Sequence, residues 1–161
     1  MAVPEALLKA LRSRWLDIGD VVDLLARSSE IDPPDASAAH AELAVRAYRE
    51  GLSLAEKGDV VQASEKLYKA AEEAVKALAF ARGLDEAKEA LNRGRWTVNL
   101  LDKAAQKLGD VVWRAWDAAY FLHVNGFHEV RIDISQVKAR IPLIEPLIRE
   151  AERLISGSAT P

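Results

Sequence analysis

Gly58-Asp59-Val60-Val61-Gln62-Ala63-Ser64-Glu65-Lys66-Leu67-Tyr68-Lys69-Ala70-Ala71-Glu72-Glu73-Ala74-Val75-Lys76-Ala77-Leu78 decides the fold. Gly58 can take the left-handed conformation that closes one helix, and Asp59 can cap the next. Val60, Leu67, Ala71, Ala74 and Leu78 then recur at helical spacing. Glu65 with Lys69, and Glu72 with Lys76, stand four apart with the acid first, an arrangement that adds only about 0.2–0.5 kcal/mol per pair and marks a wet face. Ala63, Ala70, Ala71, Ala74 and Ala77 are small enough to let another helix approach closely. The segment predicts an amphipathic helix in a packed bundle.

Outward from this helix, a second should run from about 36 to 57. The short link Lys57-Gly58-Asp59 makes the two antiparallel neighbours. Upstream, Pro4 opens a helix over about 4–28 with a stripe of Leu7, Leu8, Leu11, Trp15, Ile18, Val21, Val22 and Leu25, kinked or split at Gly19-Asp20. The paired prolines and acids of Glu30 to Ser37 form the clearest linker. Downstream, Gly83 ends the central helix. Leu84–Leu91 is a short helical piece, Asn92-Arg93-Gly94 a turn, and helices follow at about 95–108 and 110–124. Asn125-Gly126 breaks the pattern, Asp133–Arg140 is a further short helix, and Pro142 and Pro146 precede a last helix to about Ile155. No segment keeps a period-two alternation, so no strand is expected. The fold class is all-α, an antiparallel helical bundle. We read residues 1–161 as one domain, with an N-terminal helical extension at 4–30, a core at 36–155 and a flexible tail at 156–161.

Gly-Asp-Val-Val occurs at 19–22, 58–61 and 109–112 with unequal spacing. It reads as a recurrent turn in which Gly stops one helix and Asp caps the next, not as a repeat with a period. A single tetratricopeptide-like unit around Gly51, Ala63, Leu67 and Ala70 has no second period to support it.

Composition bounds the chemistry. A net charge of −3 over 161 residues gives no bulk basic character for nucleic-acid or membrane surfaces. No apolar run approaches the roughly 20 residues of a spanning helix, and Met1–Glu5 lacks a signal-peptide pattern. Zero cysteines exclude disulfides and thiolate chemistry. The expected location is cytoplasmic. Three Asn, three Gln and one Met beside 29% charged residues give the chain a thermophilic flavour.

Asp110–Val124 is apolar nearly all round. Trp113, Trp116, Tyr120 and Phe127, with His123, fall at steps of three and four. This stripe is an aromatic core or a dimer seam, or alternatively the lining of a ligand pocket. Arg114 and Asp117, three apart, read as an ion pair or as charges facing a cleft. His123 and His128 are five apart, a poor spacing for metal ligands on an α-helix, so no metal and no cofactor is expected. His40 is expected at the surface. Arg82, Arg93, Arg95 and Lys103 surround Trp96, and an arginine cluster with an exposed ring can bind RNA or nucleotides by stacking and phosphate contacts. A solvated helix end explains them equally. No Gly-rich phosphate loop and no Gly-x-Ser-x-Gly or His-Glu-x-x-His motif is present.

Gly58–Leu78, together with Trp116-Asp117-Ala118-Ala119-Tyr120-Phe121-Leu122-His123-Val124-Asn125-Gly126-Phe127-His128-Glu129 and Val137-Lys138-Ala139-Arg140-Ile141-Pro142, resembles the PaREP family (type one), expanded in hyperthermophilic archaea. The likeness covers about 40–155. That family is similar to the HEPN superfamily of helical bundles, whose members commonly dimerise. Many are metal-independent RNases or partners of minimal nucleotidyltransferases. The HEPN catalytic pattern places Arg, a polar residue and three to five more before His. Arg114 precedes His123 by nine, so that dyad does not carry over. The reading is a non-catalytic, HEPN-like homodimeric module for self-association and for protein or nucleotide partners. A minimal nucleotidyltransferase is one such partner. The alternative is a divergent metal-independent RNase or nucleotide-binding enzyme near the dimer seam. In it Arg114 would stabilise phosphate charge and His123 would act as acid/base, with Asp117 and His128 beside them.

Overall fold

The computed structural model describes residues 4–13 and 17–158. Among them are eight α-helices and one π-helical turn, with no strand. The helices are α1 (Glu5–Ser13), α2 (Ile18–Arg27), α3 (Pro33–Glu56), α4 (Val60–Ala81), α5 (Asp85–Arg93), α6 (Val98–Leu108), α7 (Asp110–Leu122) and α8 (Ile134–Ser158), with the π-turn at His123–His128 between α7 and α8. The fold is all-α.

The expected start signal of α4 is present: Gly58 has φ of 77°, and the Asp59 side chain accepts a hydrogen bond from the Gln62 amide at 3.0 Å. The small residues do what their size permits. Ala63, Ala70, Ala71, Ala74, Ala77 and Ala79 are completely buried, and α3, α7 and α8 all pack on α4. Contact partners descend along α4 as they ascend along α3: Ser37 reaches Ala77, His40 reaches Glu73, and Gly51 lies against Leu67. The two helices therefore run in opposite directions. Leu67, Trp116, Leu122, Ile144 and Leu147 fill the centre.

Several local expectations are corrected. The chain breaks before Ile18 and not at Gly19, because Asp17 and Asp20 form a reciprocal capping box. Gly19 lies inside α2, where an added Cβ would collide with the Glu73 carboxylate. At the third Gly-Asp-Val-Val site, Gly109 itself is the cap and Asp110 is already helical. Of the expected N-terminal stripe, Val22 is buried, but Leu7 is 48% exposed; Trp15 lies outside the described residues. Pro142 and Pro146 sit inside α8 and do not delimit it. Each interior proline costs about 3 kcal/mol. Val137, Ile144, Leu147, Ile148 and Ala151, all buried against the other helices, outweigh that cost. α8 reaches Ser158, beyond the expected helix end; residues 159–161 of the expected tail lie outside the described residues.

Candidate functional site

Two clusters of ionisable groups and one outer groove are built around α4 and α7. The first cluster lies where α2, α3 and α4 meet. His40 is fully buried, not at the surface as its local sequence suggests. Its Nδ1–H donates to Glu73 Oε2 at 2.5 Å, and its Nε2–H donates to Asp23 Oδ1 at 2.9 Å. Phe80 stacks on the ring, 5.6 Å between centroids. Burial disfavours the charged ring, but hydrogen bonds to Asp23 and Glu73 outweigh it and push the pKa up to about 9. Lys76, also buried, lies 3.4 Å from Glu73, 3.7 Å from Glu72 and 3.9 Å from Asp23. Lys69 bridges Asp17 at 2.8 Å and Glu72 at 3.2 Å. Burial raises the Asp17 carboxyl, yet the Lys69 charge and hydrogen bond win and hold it at about 2.

The Glu72–Lys76 pair is therefore no wet face. The i,i+4 spacing is right, but α2 and α3 cover it. Both ring nitrogens of His40 and the Lys76 charge are engaged, so the network orders helices and presents no unoccupied group for chemistry. Beside it, a cleft of about 280 Å³ is lined by Leu8, Leu11, Ile18, Leu43 and Lys69.

The second cluster lies on the other side of α4. Trp116 is buried, and Tyr68, Trp116 and Tyr120 pack ring to ring with centroids 5.7–6.3 Å apart. Tyr68 stacks on His123 at 4.0 Å, and Phe127 is also stacked with His123, 6.1 Å between centroids. Burial, with Glu72 nearby, raises the Tyr68 phenol far above its ordinary value and keeps it neutral. Glu65 Oε2 is 3.1 Å from His123 Nδ1, and His123 Nε2 is 3.1 Å from His128 Nε2.

The π-turn creates this last contact. Its i→i+5 bonding places residues five apart one turn above each other, and the Glu129 amide bonds the Val124 carbonyl at 2.8 Å. Gly126 makes the turn's close approach possible: a Cβ there would stand 2.6 Å from Ser64 Cβ. Gly126→Ala is expected to cost about 1–3 kcal/mol through overpacking, read as a lower thermal midpoint; an unchanged midpoint would mean the turn can lift without loss.

Arg114 and Asp117 face elsewhere. Nine residues along an α-helix is half a revolution off register, so Arg114 and His123 point to opposite sides of the α7 line. Arg114, Asp117, Phe121, Arg140 and Leu143 line a shallow groove of about 530 Å³ between α7 and α8. No ion pair joins Arg114 to Asp117 among the described residues. The Arg140 guanidinium sits over Phe121 at 3.6 Å. Trp113, expected in the aromatic stripe, is 40% exposed one residue before Arg114. Thus His123 and His128 come together, Arg114 and Asp117 share a groove, and the two pairs remain apart.

Trp96 is half-buried with its edge on Phe80, 6.2 Å between centroids, and Arg93 pairs with Glu89 at 2.6 Å. Sequence reasoning misses the His40–Glu73 and Glu65–His123 contacts altogether. They join positions 33 and 58 residues apart, and no local pattern signals them. No helix among the described residues is long and apolar enough to cross a membrane.

The chain resembles known proteins over a region that holds the second cluster and the α3 and α4 part of the first. The family model described as the archaeal PaREP1/PaREP8 family matches residues 39–148. A crystal structure of a Sulfolobus solfataricus protein is 37% identical, with a TM-score of 0.63, and the match covers 70% of this chain and 96% of that one. A solution structure carrying the same structural-genomics target label is 35% identical, with a TM-score of 0.62, covering 70% and 91%. No curated protein is significantly similar.

Proposed function

The chain belongs to the archaeal PaREP1/PaREP8 family, and from that premise we propose that it is a non-catalytic self-association module whose copies join through the groove between α7 and α8. The observation that carries this is the apolar, unpaired character of that face. Leu143, 49% exposed on α8, lines the groove with Phe121 and Ala118, and Trp113, 40% exposed, stands beside Arg114 on α7. Exposed apolar side chains grouped on one face mark an interaction surface. In a two-fold interface the same patch serves both subunits, so Arg114 of one copy meets Asp117 of the other and both charges are satisfied. The resemblance, read from the sequence, to HEPN bundles, whose members commonly dimerise, points the same way. Under this reading the protein works in the cytoplasm of a thermophile, and a protein such as a minimal nucleotidyltransferase binds the assembled pair.

Light scattering of the purified chain tests it. The expected mass is twice 17.7 kDa. Trp113→Glu with Leu143→Asp should give the single-chain mass with unchanged helical circular dichroism. Losing anchors of this kind removes about 2 kcal/mol or more each, a shift in dissociation constant of roughly 30-fold. A wild-type chain that runs as a monomer at micromolar concentration would sink the reading.

A further inference from the structure

We propose that the π-turn binds a divalent transition-metal ion of the zinc class, held between Nε2 of His123 and Nε2 of His128 and oriented by Glu65. The two nitrogens are 3.1 Å apart. Two imidazole ligands at Zn–N of about 2.0–2.1 Å in tetrahedral geometry stand about 3.3–3.4 Å from each other, so a small outward turn of one ring admits the ion. At this distance the two nitrogens share either a proton, one ring's N–H donating to the other, or a metal ion.

The surroundings favour the ion. Glu65 sits 3.1 Å from Nδ1 of His123. A carboxylate accepting from Nδ1–H leaves Nε2 as the bare lone pair, the carboxylate–histidine arrangement that orients metal-bound imidazoles. Tyr68 and Phe127 both stack nearly parallel to the His123 ring and restrain its plane. His128 is exposed and the His123 side chain 20% exposed, so an ion reaches the site from solvent. The π-turn itself gives this pair its reach. Such turns are enriched at functional sites, and here one sets two histidines Nε2 to Nε2, their rings nearly perpendicular, that an α-helix would splay.

Among the described residues no three His, Asp or Glu groups gather about one point. The site therefore has two protein nitrogens, and water completes the coordination sphere. Imidazole nitrogens suit zinc, nickel and copper. An ion held this way exchanges readily and keeps positions open to a further ligand.

The test uses the full chain, stripped with chelator and titrated by calorimetry with Zn²⁺, and in parallel with Co²⁺ followed by its visible absorption. Wild type should bind one ion per chain. His128→Ala removes an exposed side chain, so the fold persists, and affinity should fall at least 100-fold. Glu65→Gln should weaken binding by about 10–100-fold. Wild type that takes up no ion would overturn the proposal and leave a proton shared by the two rings. Equal binding by wild type and His128→Ala would overturn it as well, by placing the ion elsewhere.

Discussion

Glu73→Ala is expected to lower stability by about 3–5 kcal/mol, the cost of removing one partner from a buried ion pair. For a chain of this length that corresponds to a drop of roughly 6–20 °C in the melting midpoint. The size follows from what Glu73 leaves behind. Its carboxylate receives the His40 Nδ1–H and lies 3.4 Å from Lys76 Nζ, and both partners are buried. Neither can swing into water, so each loses a counter-charge and gains none. Glu73→Gln keeps the shape and one acceptor and should fall between the two. An alanine variant that melts within a degree of wild type would show that the network holds its positive charges without Glu73.

Raising the pH from 6.5 to beyond 9 is expected to cost the wild-type protein about 3 kcal/mol through His40 alone. The folded ring has a pKa of about 9 against an ordinary value of 6.5, and each unit is worth about 1.36 kcal/mol. Because the folded state binds the proton more tightly, the stabilisation is complete below about pH 6.5 and disappears as pH rises through 9. The groups facing the ring are Asp23 and Glu73, with Lys76 beyond them. On the acid side the sign reverses. The Glu73 carboxyl, disfavoured by burial but held down by Lys76 and His40, and Asp17 at about 2, stabilise the fold above the ordinary carboxylate range and stop doing so as pH falls. Maximal stability should lie between about pH 4.5 and 6.5. Denaturant titrations at pH 6 and 9.5 measure the alkaline limb. His40→Gln should flatten it, and a flat wild-type limb would mean that the buried ring is neutral.

The bundle is legible because its signals are local. Gly58-Asp59 announces a turn, and the alanines of 63–77 announce a close helix contact; both are read off adjacent residues. What escapes is non-local. Lys76 reads as solvated because the i,i+4 rule describes one helix and cannot see α2 and α3 over it. His40 reads as exposed because its two carboxylate partners come from other helices, 17 and 33 residues away. The proline positions mislead for the opposite reason: the local rule is sound, but buried contacts along α8 exceed its cost. The His123–His128 spacing is poor only on an α-helical ruler, whereas the wider i→i+5 turn there brings positions five apart closer to one face.

A π-turn is an α-helix with one residue too many. Removing a single codon between His123 and His128 would let the backbone close as ordinary α-helix and would leave α8 in its place, because the turn absorbs that one residue. Phe127 and His128, which both pack on the His123 ring, would stand one residue nearer to it along the chain. In the terms of heredity, the smallest in-frame deletion separates a chain whose histidines stand five apart on a π-turn from one whose histidines stand four apart on an α-helix, while the rest of the bundle keeps its reading.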